Sequence, residues 1–296
     1  MNDKTSHPGL VTAWIAAMRP RTLTAAVGAV AVGAALARAA GAHRWDATFA
    51  ALGVAVSLQI ASNLYNDYGD FIRGADVDRV GPPRAAQSGW LAASHVRLGA
   101  FIAIAVAVLS GLRLVALLGW PALAIGVTAI VSAVAYTAGP APLAYIGLGD
   151  AFVMAFFGVA AVNGTFLAET GKLSASAGAA SVAVGAMATA ILVVNNLRDH
   201  EGDARVGKRT LVVRFGQRFG QAEYIAMLAL AYLIAIGLAY GERRAGWLLP
   251  LLTLPLAVKR TRTVLGSHGP QLNAELANTA KLGLAFNLLL AAGALA

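Results

Sequence analysis

The chain has 296 residues, 58% of them hydrophobic and only 12% charged, with 32 Gly and a mean hydropathy of +0.67. Soluble domains carry about 25% charged residues, so this composition excludes an ordinary globular protein and defines an integral membrane protein. The net charge of +9 does not mark a nucleic-acid binder, because Lys and Arg follow the connections between apolar stretches, and the absence of Cys excludes disulfides, thiolate catalysis and Cys-ligated metal.

Apolar stretches near the ~20 residues needed to cross a bilayer run at about 22–40, 46–62, 98–118, 120–136, 148–168, 175–195, 224–240, 245–258 and 279–296. They predict an all-α membrane protein, a nine-transmembrane-helix bundle forming a single domain over residues 1–296. The eighth stretch is short and holds Pro250 and Pro255. No small-residue cleavage site follows a short apolar core near the N-terminus, so the first span is expected to be retained. Trp14, Trp45, Trp90, Trp120 and Trp247 fall near span ends, as an interfacial belt requires.

Of the 23 Lys and Arg, 17 lie in the N-terminal segment and the connections at 63–97, 198–218 and 259–281. Short cytoplasmic connections carry the positive excess, which predicts a cytoplasmic N-terminus with those connections on the same side. Arg84, Arg97, Arg205, Arg214 and Arg218 read most simply as such topogenic charges.

Two of these connections carry acid clusters. The first runs Asn63-Leu-Tyr-Asn66-Asp67-Tyr-Gly-Asp70, followed by Asp76 and Asp78; the second runs Asn195-Asn-Leu-Arg198-Asp199-His-Glu-Gly-Asp203. Spacings of three and four place the oxygens on one helix face. Four spans separate the clusters, which returns them to the same membrane side as a weak internal repeat.

Carboxylate and amide oxygens are hard ligands suited to Mg²⁺, which shares its shell between a few carboxylates, waters and substrate phosphates. Two half-sites on one face can hold two Mg²⁺ ions with a diphosphate between them. Asp67, Asp70, Asp76, Asp199 and Asp203 are the expected metal ligands, and Asn63, Asn66 and Asn195 supply further contacts. Arg73, Arg198, Lys208 and Arg209 are placed to meet phosphate oxygens, Arg by bidentate contact.

These residues resemble the intramembrane aromatic prenyltransferases of the UbiA superfamily, and within it the branch acting on 1,4-dihydroxy-2-naphthoate in menaquinone synthesis. The resemblance runs from Met18-Arg-Pro-Arg-Thr22 through both acid clusters, Arg73-Gly-Ala-Asp76, Gln87-Ser-Gly89, Tyr136-Thr-Ala-Gly-Pro140, Pro142-Leu-Ala-Tyr145 and Gly147-Leu-Gly149 to Gly207-Lys-Arg-Thr-Leu211. Two positions depart from the superfamily pattern: Gly74 stands where many relatives have a third Asp, and Pro140 where many have Lys.

The resemblance implies nine helices with two Asp-rich cytoplasmic loops around a central cavity, in the cell (inner) membrane. It implies transfer of a polyprenyl group from polyprenyl diphosphate to the naphthoate, with loss of CO₂ and diphosphate, giving a demethylmenaquinone. Asp67, Asp70, Asp199, Asp203 and the Tyr136 hydroxyl then become catalytic, and Arg21 joins Arg73 as a contact for the acceptor carboxylate. The other partners expected are membrane lipid and no nucleic acid. Other acceptors, among them 4-hydroxybenzoate, homogentisate, haem and a glycerol phosphate, stay open, as does an ion-coupled transporter.

Overall fold

Residues 8–74, 80–136 and 142–296 are described by the structure, a computed structural model; Asp76, Asp78 and Pro140 lie outside the described residues. The helices in chain order are α1 (Leu10–Met18), α2 (Pro20–Ala39), α3 (Trp45–Ile72), α4 (Ala93–Leu118), α5 (Trp120–Ala135), α6 (Gly149–Val153), α7 (Ala161–Thr170), α8 (Ala175–Arg205), α9 (Leu211–Phe215), α10 (Gln217–Glu242), α11 (Leu254–Gly266) and α12 (Leu272–Leu295). A π-helical segment, Met154–Ala160, joins α6 to α7, and 3₁₀ segments Ala245–Thr253 and Gly269–Gln271 precede α11 and α12.

Local chemistry sets the breaks. Arg19 takes a left-handed conformation (φ 52°) between α1 and α2, and Pro20 opens α2 with its fixed φ and no needed N–H. Pro250 removes a helical donor inside the Ala245–Thr253 segment, which stays 3₁₀ until α11 begins. Gly74 (φ 67°) follows the C-cap of α3 and Gly207 (φ 75°) that of α8, so both acid-bearing helices end on a glycine at positive φ.

Seven helical units are long and apolar enough to cross a membrane among the described residues: α2, α3, α4, Gly149–Thr170, α8, α10 and Gly269–Leu295. The remaining two expected spans are α5, with 16 residues, and the two-part stretch from Ala245 to Gly266. The mixed 3₁₀ and α geometry imposed by Pro250 makes that eighth stretch two short pieces instead of one long helix.

The structure corrects the expected Asp-rich loops. α3 has 28 residues and α8 has 31, or about 42 and 46 Å at 1.5 Å per residue, against a hydrocarbon core of about 30 Å. Both helices therefore run on past the apolar region, and Asp67, Asp70, Asp199 and Asp203 sit on their last turns. Hydropathy falls at residues 62 and 195, but helicity does not. At the opposite end of α3, Asp46 pairs with Arg44 and Arg113, about 36 Å from Asp70.

α8 is the most enclosed span and packs against α2, α10, α12 and the π segment, while α4 is the most exposed. Gly158 of the π segment and Gly185 of α8 let the two backbones touch: a Cβ at Gly158 would stand 2.5 Å from Ser181 O. A second apolar cluster, formed by Ala17, Leu64, Ala85, Ala86, Leu91 and Val96, fixes the acid-bearing end of α3 against α1, the 85–91 turn and α4.

Candidate functional site

The ends of α3 and α8 meet at the mouth of a cavity of about 860 Å³ that runs between α2, α3, α4, α5, α6, α7 and α8. Of the residues expected to act, Arg21, Asn63, Asn66, Asp70, Tyr136, Asn195, Arg198, Asp199, Asp203 and Lys208 line this cavity. Asp67, Arg73 and Arg209 do not.

On α3 the acid cluster divides its labour. Asp67 turns to the 80–92 segment, accepting hydrogen bonds from Ala85 N at 3.0 Å and Ala86 N at 3.3 Å. Asp70, one turn on, accepts from Arg84 Nη2 at 2.9 Å and faces Lys208 Nζ at 3.4 Å. Asn63 is held from the other side, donating to Met18 O and Thr22 Oγ1 at 2.9 Å each. That bond ties α3 to the bend at Arg19 and aims the neighbouring Asn66 at the cavity. Asn66 Oδ1 is buried there without a hydrogen-bond partner.

On α8 the buried Arg198 grips Asp199 with Nε at 2.7 Å and again with Nη2, and donates to Asn195 Oδ1 at 2.8 Å and to Asn273 Oδ1 at 3.3 Å. Asp203, one turn further, lies 3.5 Å from Lys208 Nζ. Lys208 therefore stands between Asp70 and Asp203 and joins the two clusters. Burial lowers the Lys208 pKa, but the two carboxylates more than offset it and hold it above the ordinary 10.5.

The turn at 142–148 is strapped to this segment. Arg209 N donates to Tyr145 O at 3.0 Å, and Arg214 donates to Arg209 O and Ile146 O. Gly147, at φ 78°, permits the contact, since a Cβ there would stand 2.7 Å from Arg209 O. The Tyr145 ring consequently lies against two cations, 5.5 Å from Arg73 and 5.3 Å from Lys208. Burial pushes its hydroxyl above the usual range, with Lys208 opposing. Arg209 itself acts through its backbone and its side chain is exposed.

A ready-made cage of carboxylates is not present: among the described residues no three Asp, Glu or His side chains cluster closely enough to hold a metal. Arg84, Lys208 and Arg198 take the carboxylates, which spares the site unpaired buried charge. The donor set nevertheless fits Mg²⁺. Asn66 Oδ1 and Asp70 Oδ1, one turn apart, have no hydrogen bond, and among the described residues the Lys208 ammonium is the cation that meets Asp70 Oδ1, at 3.4 Å. Mg²⁺ needs only one or two protein carboxylates when phosphates complete its shell.

Three contributors escaped the sequence reading. Arg84 reads there as a topogenic charge, yet it is buried (6% exposed) against Asp70. Asn273 of α12, in a region legible only by hydropathy, bridges Arg198 to Val80 O. Asp150 lines the cavity at the start of α6. A lone acid beginning an apolar stretch was the available signal for it.

Residues 26–288 match the UbiA prenyltransferase family, and the chain belongs to it. It is a multi-pass membrane protein. It is 38% identical over 293 residues to the 1,4-dihydroxy-2-naphthoate octaprenyltransferase of Escherichia coli, covering 95% of this chain and 94% of that one, and 37% identical over 285 residues to the protein of the same name from Mycobacterium tuberculosis, covering 96% of each. Among solved structures it is similar to a UbiA homolog from Aeropyrum pernix (TM-score 0.67, 20% identity, covering 92% of this chain and 96% of that one). It is also similar to a UbiA homolog from Archaeoglobus fulgidus bound to DMAPP and Mg²⁺ (TM-score 0.60, 16% identity, 94% and 98%).

Proposed function

We propose that this protein transfers a polyprenyl group from polyprenyl diphosphate to 1,4-dihydroxy-2-naphthoate, releasing diphosphate and CO₂ and giving a demethylmenaquinol, the hydroquinone form of a demethylmenaquinone. The observation that carries the reading is the meeting of the two acid clusters across Lys208 at the mouth of one apolar cavity. The names of the relatives, matched over nearly their whole length, support the acceptor.

Asn66, Asp70, Asp199 and Asp203 would hold two Mg²⁺ ions, with Asp76 as a further ligand. When bound, Mg²⁺ supplies Lewis-acid neutralisation of the departing diphosphate oxygen. Asp67 keeps the 85–86 amides in place, so its contribution is to position the α3 half-site. Lys208 and Arg198 are the cations that turn from carboxylate to phosphate as substrate arrives, with Arg73 and Arg209 at the rim. Carboxylates without such cations would repel a diphosphate of about three negative charges.

Below the diphosphate, Phe152, Phe156, Phe157, Leu192 and Ile130 line the cavity. Their apolar surface excludes water from the allylic cation left behind, which would otherwise be hydrolysed. Asn195 and the Tyr136 hydroxyl lie on the same wall as polar contacts for substrate, and Arg21 is the cation for the acceptor carboxylate. The fold would cross the inner membrane nine times, with α5 and the Ala245–Gly266 stretch as the two short crossings. The N-terminus and the cavity mouth would be cytoplasmic, on the side of the positive excess.

Purified protein incubated with Mg²⁺, a prenyl diphosphate and a panel of acceptors, with products read by mass, tests the reading. The naphthoate should be converted with loss of its carboxylate as CO₂, and 4-hydroxybenzoate should be a poor substrate. Faster turnover of 4-hydroxybenzoate would overturn the acceptor assignment.

A further inference from the structure

We infer that Asp150 is a further catalytic residue, the group that takes the proton of the acceptor hydroxyl as the new carbon–carbon bond forms; the inference rests on the acceptor proposed above. Asp70, Asp150, Asp199 and Asp203 are the four acids lining the cavity among the described residues. Three hold a cation: Asp70 has Arg84 and Lys208, Asp199 has Arg198, and Asp203 has Lys208. Asp150 has none. It is 7% exposed, and its Oδ1 is buried without a hydrogen-bond partner.

An unpartnered buried carboxylate oxygen is costly unless a ligand supplies a donor. The polyprenyl diphosphate brings phosphate oxygens and hydrocarbon, neither of which offers one. The dihydroxynaphthoate brings two O–H donors. The position suits it, because Asp150 stands beside Tyr136, whose hydroxyl would be 3.1 Å from a Cβ at the neighbouring Gly149. Phe152 and Phe156, two and six residues on, belong to the apolar wall that would receive the ring. Asp150 thus marks the level in the cavity at which the polar edge of the acceptor meets that wall.

The step balances without an outside reactant. The bond from the allylic carbon to the ring carbon bearing the carboxylate forms as the allylic carbon–oxygen bond to diphosphate breaks. The hydroxyl adjacent to the attacked carbon becomes a ketone, and its proton passes to the Asp150 carboxylate. When the carbon–carboxylate bond then breaks, CO₂ departs, its bonding pair restores the aromatic ring, and the proton returns from Asp150 to the ring oxygen. Asp150 ends as it began.

The test uses the full chain with Mg²⁺, a prenyl diphosphate and the naphthoate. Asp150→Asn should lower kcat by about 100-fold or more while the KM for prenyl diphosphate stays within twofold, the loss expected of a missing general base. Asp150→Ala should be similarly slow and regain at least tenfold in rate on addition of formate, a response that a purely structural role would not produce. An Asn variant within threefold of wild type overturns the inference. If the Asn variant no longer binds a prenyl diphosphate and so has lost its fold, absence of formate rescue in the Ala variant overturns it instead. Wild type is assayed alongside: failure of wild type on the naphthoate overturns the functional reading, whereas an active wild type with an unimpaired Asn variant overturns only the role of Asp150.

Discussion

Lys208 Nζ lies 3.4 Å from Asp70 Oδ1, although the two residues are 138 positions apart in the chain. The contact joins the acid-bearing ends of α3 and α8, because the same ammonium also reaches Asp203. In the proposed site, lysine and metal ions would therefore compete for the same oxygens, whereas lysine and diphosphate would attract. Lys208→Met should bind Mn²⁺ more tightly than wild type in the absence of substrate and bind prenyl diphosphate at least tenfold more weakly. Paired titrations of Mn²⁺ and of a prenyl diphosphate check this; a change in the same direction for both would count against it.

The pH dependence of that contact follows from its sign. The Lys208 pKa is raised above 10.5 in the folded protein, so the stabilisation it provides is fully present below 10.5 and is lost as pH rises through the raised value. Lys208→Met should therefore lower the unfolding midpoint by the same amount at pH 7 and pH 9. The difference between variant and wild type should shrink only above about 10.5, which thermal unfolding in detergent over that range will register.

Asp67 and Asp70 share a helix but have different partners, which separates their variants. Asp67→Asn weakens charge-assisted bonds to Ala85 N and Ala86 N and should lower stability by about 1.5–3 kcal/mol with Mn²⁺ binding nearly retained. Asp70→Asn should lower Mn²⁺ and diphosphate binding at least tenfold. Unfolding curves and metal titrations on both variants would reveal the opposite pattern if Asp67 were the principal ligand.

The π segment owes its contact with α8 to two glycines. A Cβ at Gly158 would stand 2.5 Å from Ser181 O and 2.7 Å from Gly185 Cα, both backbone atoms that cannot swing aside. Gly158→Ala should destabilise the protein by about 1–3 kcal/mol through overpacking. It should also slow turnover, because Phe156 and Phe157 of the same segment line the cavity. A thermal midpoint equal to wild type would show that the two backbones can separate without cost.

Much of this was legible beforehand because its signals are local. Apolar length predicts the helices, and the three-and-four spacing of Asn66, Asp70, Asp199 and Asp203 predicts one-sided faces at their ends. Helix ends were less legible, because hydropathy stops at the membrane boundary while α3 and α8 continue until Gly74 and Gly207. The partner of each charge was not legible. Burial of Arg84 against Asp70 depends on how the 80–92 segment folds back, and the bridging position of Lys208 depends on the strap from Tyr145 and Arg214. Asp67 and Asp70 look equivalent in sequence; their partners in the fold distinguish them, the Ala85 and Ala86 amides for Asp67 and Arg84 and Lys208 for Asp70.

Orientation can be read on the same protein, since the chain contains no Cys and introduced ones label without background. Single Cys at the exposed positions Ala204 and Lys172 should react from opposite membrane faces, Ala204 from the cytoplasmic side. Labelling of both from one face would break the proposed topology.

Counting Mn²⁺ bound per chain in the presence of a non-reactive prenyl thiolodiphosphate, by electron paramagnetic resonance, tests the joint site most directly. Two spin-coupled ions per chain are expected, falling to one or none in Asp70→Asn and in Asp203→Asn, because each helix end supplies part of the shell. Full binding of the thiolodiphosphate with no manganese, or an unchanged count in both variants, would contradict a metal–diphosphate site shared between α3 and α8.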